Sequence, residues 1–311
     1  MKYSSRFFKI IRTTTWSLSA IAVGIFFVHT VSGAFAEGSR TPSNTKEAPN
    51  VATTLSPTVT IGWVGDIAPS PDSRSLSIFE HVQRNLVRPE ILMGNLEGVL
   101  SDQGSSKCGS NPPSWCFAFR GSHEFASTLK DAGFDIMNLA NNHSFDYGED
   151  AFEDTKTALN TSSIPYTGTH EGVTYMTSEE GIVIGFVGFS SYDWTPSLLD
   201  YNEITQLIRE ASMHADVVVM AFHGGAEGIG HSSTGSEYEY VGNEKRGFLR
   251  KSAHVAIDAG ADLVLGSGPH VLRGMEFHKG KLIAYSVGNF AGINTFNTKG
   301  DLGISTILTV T

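Results

Sequence analysis

Five segments of this sequence place oxygen and imidazole donors directly after a short apolar run. Residues 59–64 lead through Gly65 into Asp66, residues 91–94 into Asn95 and Glu97, and residues 134–140 into Asn141, Asn142 and His143. Residues 216–222 lead into His223, and residues 261–266 into Ser267, Pro269 and His270. Carboxylate, amide and imidazole are the donors that hard and borderline divalent cations take. In open α/β sheets ligands collect at the carboxyl ends of the strands, so the five segments can converge on one site. Each residue alone has a plainer reading, with Asp66 as a turn or N-cap residue, Asn141 and Asn142 as Asx turns, and His223 as a core histidine. The repetition at five strand ends favours a shared site.

Those donors need a scaffold of alternating strands and helices, and the hydrophobic patterning supplies one. Strands are expected at 59–65, 91–98, 134–140, 181–190, 216–222 and 261–267, with helices at 76–86, 123–132, 148–160, 201–214 and 243–259 between them. Residues 275–290 read as a hairpin and 303–310 as a final strand. Continuous apolar runs flanked by helices argue for a central sheet covered on both faces, hence an α/β fold. No internal repeat of 20 to 50 residues is present, so one domain over 58–311 is the economical reading.

Residues 1–36 read as an address. Lys2, Arg6, Lys9 and Arg12 precede a mostly apolar run, and Ala34-Phe35-Ala36 offers small residues at both cleavage positions of a Sec-type signal peptide. An uncleaved N-terminal anchor is the alternative, because 13–36 carries no Lys, Arg, Asp or Glu. Either way the remainder is exported, to be periplasmic, cell-surface or membrane-anchored. Residues 37–57 are rich in Ser, Thr, Pro and Asn and read as a flexible linker.

With 311 residues, 40% hydrophobic and 17% charged, the chain is an ordinary globular protein, and disorder throughout is excluded. Net charge is −10, and removal of the four cationic side chains of 1–36 takes it to −14. Such a field repels nucleic acid, so an anionic ligand would need a cation or a local basic pocket. Cys108 and Cys116 flank seven residues of a Gly/Ser/Pro-rich stretch and are expected to pair as a disulfide in an oxidising compartment.

The segments GDI (65–67), GNLEG (94–98), LANNHSFDYG (139–148), FHGG (222–225), DAGADLVLGSGPHVLRG (258–274) and IAYSVGNF (283–290) resemble the successive motifs of the CapA family. These are bacterial proteins of capsule and poly-γ-glutamate synthesis, and the resemblance spans residues 59–292. The family in turn resembles the calcineurin-like metallophosphoesterases, which implies a central β-sandwich flanked by helices on both faces and a metal site at the strand ends. Carried over, it implies Asp66 and His270 on one metal, Glu97 bridging, and Asn142 and His223 on the other. His143 matches the histidine that protonates the leaving oxygen, and Asp146, close to it in sequence, is a candidate partner for it. The sequence departs from the phosphoesterase pattern at two places. Position 68 is Ala where the first motif has histidine, and Ser267-Gly268 precede Pro269-His270 where the last motif has Gly-His-x-His. Each metal then lacks one histidine, and one or two ions of Mn, Mg, Fe or Zn fit, with oxygen-rich ligation favouring Mn or Mg.

Two classes of function are open. The first is a metal-dependent hydrolase acting on a phosphoryl or amide bond of an envelope polymer or phosphorylated precursor, with metal-activated water and His143 as general acid. The second is a non-catalytic export factor that holds an anionic polymer through the cation. Membrane capsule-synthesis proteins are the partners the resemblance implies. Asn95, Asn141, Ser267 and Asn289 are candidates for supporting the ligands or touching substrate, and Glu227 and His231, in the Gly/Ser loop after FHGG, are candidates to reach the pocket. His254 reads as a core or surface residue.

Overall fold

The computed structural model describes residues 56–72 and 78–311. The expected signal or anchor segment and all but the last two residues of the linker lie outside the described residues. The chain runs as β1 (Ile61–Ala68), α1 (Gln83–Leu86), β2 (Ile91–Leu96), a short pair β3 (Val99–Leu100) and β4 (Arg120–Gly121), α2 (Glu124–Ala132), β5 (Ile136–Asn138), α3 (Glu149–Thr161) and β6 (Tyr166–Thr167). It continues as β7 (Thr174–Thr177), β8 (Val183–Ser190), α4 (Tyr201–His214), β9 (Val217–His223), the hairpin β10 (Glu239–Val241) and β11 (Glu244–Gly247), then α5 (Leu249–Ala259). The last elements are β12 (Leu263–Ser267), β13 (Met275–His278), β14 (Lys281–Ala284), β15 (Asn289–Gly292) and β16 (Leu308–Val310).

Two six-stranded sheets result. Sheet one has the order β15-β1-β2-β5-β6, with β16 antiparallel to β1, and sheet two has the order β13-β14-β12-β9-β8-β7. The central pairs are parallel in both. Alternation along each strand sorts side chains into three layers. Ile61, Trp63, Ile91, Met93 and Ile136 of sheet one meet Ile184, Phe186, Val219, Ala221, Leu263 and Leu265 of sheet two in one buried cluster. The intervening positions face outward: Leu92 and Met137 pack with α2 and α3, and Val187, Val218 and Met220 with α4 and α5. This is the β-sandwich flanked by helices that the resemblance implies. Trp63 ties the layers further, its indole N–H donating across to the Gly266 carbonyl at 3.2 Å, so the largest core side chain has no unsatisfied polar atom.

Local chemistry sets the element ends. Asp200 caps α4, its Oδ1 accepting from the amides of Asn202 at 2.8 Å and Glu203 at 3.3 Å. Three expectations need correction. The helix at 76–86 is helical only over Gln83–Leu86, with residues 73–77 outside the described residues, and the strand at 303–310 is reduced to Leu308–Val310. The helix at 243–259 begins only at Leu249. Gly242-Asn243 is a two-residue turn that pairs Glu239–Val241 with Glu244–Gly247, so hairpin chemistry overrides the helix propensity of Glu244, Lys245 and Arg246. No helix among the described residues is long and apolar enough to cross a membrane.

Cys108 and Cys116 are bonded, closing the loop between β3 and β4. Mutating both to serine is expected to cost about 2–3 kcal/mol through the lost constraint on the unfolded chain. That corresponds to a fall in Tm of roughly 4–12 °C, read by calorimetry. Coincident melts of wild type and double mutant would show that the bridge contributes nothing.

Candidate metal centre

Parallel pairing sets the chemistry-bearing residues in two rows. Asn138, Asn95, Asp66 and Asn289 lie side by side on β5, β2, β1 and β15. Ser190, His223 and Ser267 lie side by side on β8, β9 and β12. The rows meet between the sheets, where Asn95 Nδ2 is 3.2 Å from His223 Nδ1. At Asp66 the register of β1 shifts against both neighbours. Bulges of this kind re-aim side chains at strand ends. The shift requires Gly65, because a Cβ there would sit 1.9 Å from the Gly288 carbonyl oxygen.

An amide ladder orients Asp66. Asn138 Nδ2 and Asn141 Nδ2 donate to Asn95 Oδ1 at 2.9 and 3.2 Å, which turns the Asn95 amide so that its Nδ2 donates to Asp66 Oδ1 at 2.8 Å. Asp66 is fully buried, and its Oδ2 has no hydrogen-bond partner. On the facing row, Ser267 Oγ donates to the Phe222 carbonyl at 3.3 Å and lies 3.1 Å from His223 Nδ1, open to accept from it. That contact leaves Nε2, which is buried and unpartnered, as the free imidazole nitrogen. His270 sits in the left-handed region at φ 58°, with Nδ1 2.8 Å from Asn289 Oδ1 and 3.1 Å from Asp66 Oδ2.

These constraints converge on Glu97. Its Oε1 lies 3.6 Å from His223 Nε2, 3.8 Å from His143 Nε2 and 3.8 Å from His270 Nε2. Both of its carboxylate oxygens are buried without a hydrogen bond. Donor atoms of Asp66, Glu97 and His223 lie within 4.8 Å of one another. Bonds of roughly 2.0–2.3 Å to a common ion would satisfy them. Burying two carboxylates side by side without a cation costs several kcal/mol per charge, so the donor set fits a divalent metal. Asn142 Oδ1 is also buried and unpartnered, in keeping with a ligand role, while its backbone carbonyl accepts from Lys107 Nζ at 3.1 Å.

Electrostatics of the cluster show the same need. Burial and the adjacent Asp66 charge push the Glu97 carboxyl well above its usual range. Burial would raise Asp66 too, but contacts with His223 and His270 outweigh it and hold that carboxyl far below the usual range. Desolvation brings His223 down to about 4, whereas His270, which burial alone would lower, is held up to about 10 by Glu97 and Asp66. His270 thus carries the positive charge that the carboxylates demand.

His143 is braced from behind. Its Nδ1 is 2.7 Å from Asp146 Oδ2, and Asp146 also pairs with Lys107 Nζ at 2.6 Å and accepts from the Phe119 amide at 2.5 Å. Nε2 is left toward Glu97. Burial lowers the His143 pKa, and the Asp146 hydrogen bond and charge oppose the shift.

The structure therefore gathers Asp66, Glu97, His223, His270, His143 and Asp146, with Asn95, Asn141, Ser267 and Asn289 bonded to them or to their neighbours. The departures from the phosphoesterase motifs are built into the packing. A Cβ at Gly268 would fall 2.7 Å from the Gly224 backbone, so no histidine fits there, and Ala68 is buried. Of the loop candidates, Glu227 reaches the site with Oε2 3.9 Å from His270 Nε2, while His231 is exposed. His254 is on α5, beside Glu276 and stacked on His278. Sequence reasoning missed Asn138, which sits inside a strand, Lys107, which hides beside a cysteine, and Arg246, which was assigned to a helix. A Gly-Asn turn signal at 242–243 was available for the last.

Residues 59–293 match the family described as bacterial capsule synthesis protein PGA_cap. The chain belongs to this family. Among curated relatives it is 28% identical over 268 residues to the PGA biosynthesis protein CapA of Bacillus subtilis (strain 168), covering 78% of this chain and 66% of that protein. It is 28% identical over 237 residues to the capsule biosynthesis protein CapA of Bacillus anthracis, covering 68% and 53%. The chain thus spans between half and two thirds of the length of these relatives. Among solved structures, a putative 5'-nucleotidase of Staphylococcus aureus in complex with alpha-ketoglutarate is similar at a TM-score of 0.47 and 18% identity, over 75% of this chain and 49% of that one. A phosphatase of Mycoplasma pneumoniae is similar at 0.47 and 13%, over 76% and 73%. Likeness at this level assigns no activity to this member of the family.

Proposed function

We propose that this chain is an exported, divalent-metal-dependent hydrolase of capsule or poly-γ-glutamate biosynthesis. Its substrate would be a phosphoryl or amide bond of an anionic envelope polymer or of a phosphorylated precursor. The observation that carries the reading is the convergence of three imidazole Nε2 atoms on one buried, unpartnered carboxylate oxygen of Glu97. Asp66, Glu97, His223 and His270 would hold the metal, with Asn142 as a further ligand. A divalent ion there supplies Lewis-acid polarisation of the electrophilic centre and acidifies the attacking water. His143 delivers a proton to the leaving atom from Nε2, and Asp146 holds the ring by Nδ1 and stabilises the imidazolium. Phe119 packs against the His143 ring with centroids 4.4 Å apart, which helps to fix the ring's orientation. The disulfide and the charge pattern of residues 1–36 support an extracytoplasmic location. Membrane capsule-synthesis proteins are the proposed partners.

The test is elemental analysis of the purified protein with a phosphodiester turnover assay under added Mn²⁺, Mg²⁺ or Zn²⁺. One or two equivalents of metal with turnover are expected. Tight metal without turnover on any phosphoester or γ-glutamyl substrate would favour the polymer-holding alternative, and no metal under any cation would overturn both.

A further inference from the structure

Arg246 is the largest buried charge near the cluster, and most of its hydrogen-bonding capacity is unused. It lies on β11 with 1% of its side chain exposed. Nη1 is 2.8 Å from Glu227 Oε1 and 3.6 Å from Glu244 Oε1, but Nε and Nη2 have no hydrogen-bond partner among the described residues. Nε and Nη2 form one edge of the guanidinium, the geometry that grips two oxygens of a carboxylate or phosphate at once. Leaving such donors buried and empty costs about 1–3 kcal/mol per group.

One carboxylate connects Arg246 with the cluster. Glu227 links Arg246 to His270, with Oε2 3.9 Å from His270 Nε2. The positive charge of Arg246 opposes the upward push of burial on the Glu97 carboxyl and adds to the downward push of burial on His223. Tyr192 lies with its ring 5.7 Å from the guanidinium and donates its hydroxyl hydrogen to Glu244. Both carboxylates approach Arg246 at Nη1, with Glu227 also near His270 and Glu244 also bound by Tyr192, and neither covers the Nε/Nη2 edge.

We propose that the Nε/Nη2 edge of Arg246 is a bidentate docking fork for an oxyanion of the substrate, a phosphate or carboxylate, next to the group that reacts at the Asp66–Glu97 centre. It deepens the proposed function and rests on that reading only for the reaction at the centre; binding of the anion is tested separately. In a chain of net charge −10 this fork is a local basic element able to select an anionic substrate.

The experiment is calorimetric titration of inorganic phosphate, and separately of succinate, into Mn²⁺-treated and EDTA-treated protein, for wild type, Arg246→Lys, Arg246→Met and Glu227→Gln. Arg246→Lys keeps the charge but loses the fork, and is expected to weaken anion binding about tenfold. Arg246→Met is expected to weaken it about a hundredfold, with metal content unchanged. Glu227→Gln removes a negative charge beside the fork while keeping an oxygen acceptor for Nη1, and is expected to tighten anion binding severalfold. Loss confined to phosphate identifies a phosphoryl group as the anchor, and loss confined to succinate a carboxylate. Equal affinities in wild type and folded Arg246 variants, or no gain in Glu227→Gln, would overturn the fork. Arg246-dependent binding in a protein without metal or turnover would leave the fork standing and remove the hydrolase reading instead.

Discussion

Asp66→Ala combined with His223→Ala is expected to abolish bound divalent metal and bring turnover to background. Asp66 accepts from Asn95 through Oδ1 and faces His270 with Oδ2, and His223 is held at Nδ1 with Nε2 buried and unpartnered. Neither has a surface role that could confuse the result. Loss of a group behind a ligand costs 10–100-fold in affinity, so removing two ligands is expected to cost on the order of 10³-fold or more. Metal also stabilises by mass action, about 2.7 kcal/mol at a hundredfold excess over Kd. Wild type should therefore melt higher in Mn²⁺ than in EDTA, and the double mutant should melt alike in both. A metal-induced rise that survives in the double mutant would return Asp66 and His223 to turn and core.

His143→Gln is expected to lower turnover by about 10²–10⁴-fold while metal content stays at the wild-type level. The distinction arises because His143 Nε2 approaches Glu97 Oε1 at 3.8 Å while Nδ1 is committed to Asp146. A proton donor must be protonated, and the sign of its pH dependence follows. Burial lowers the His143 pKa, and Asp146 raises it against that trend. Asp146→Asn removes the stabilising charge, so the imidazolium is lost at lower pH. The alkaline limb of the kcat/KM profile should then move to lower pH. Turnover equal to wild type in His143→Gln would exclude the general-acid role, and an unmoved limb in Asp146→Asn would exclude its support by Asp146.

Much of the site was legible because strand ends are where a parallel sheet exposes side chains. Asp66, Glu97, His223 and His270 could be singled out by their place after apolar runs, and their meeting follows from register. The sandwich was less legible. A run such as Val217–His223 is buried on both faces, and that says nothing of whether the covering layer is helix or sheet. The layer arrangement came from the family resemblance and is borne out by the inter-sheet cluster around Trp63. Arg246 was lost to a helix that local propensity favours and tertiary pairing forbids. Asn138 and Lys107 act through other residues, by holding Asn95 and Asp146, and position alone carries no mark of that.

The first strand has neighbours on both sides from opposite ends of the described chain. Asp66 pairs with Asn95 on one side and with Asn289 on the other, and Ile61 pairs with Val310. Its second side is covered by β15 and β16, and β7 to β14 lie between in sequence. Closing so long a loop is entropically costly and slow. Asp66 and Glu97 precede His143, His223 and His270 in the chain, so the donors of the site come from segments far apart in sequence. The pairings that set Asn289 and the C-terminal strand beside β1 are therefore the long-range contacts whose closure costs the chain the most entropy.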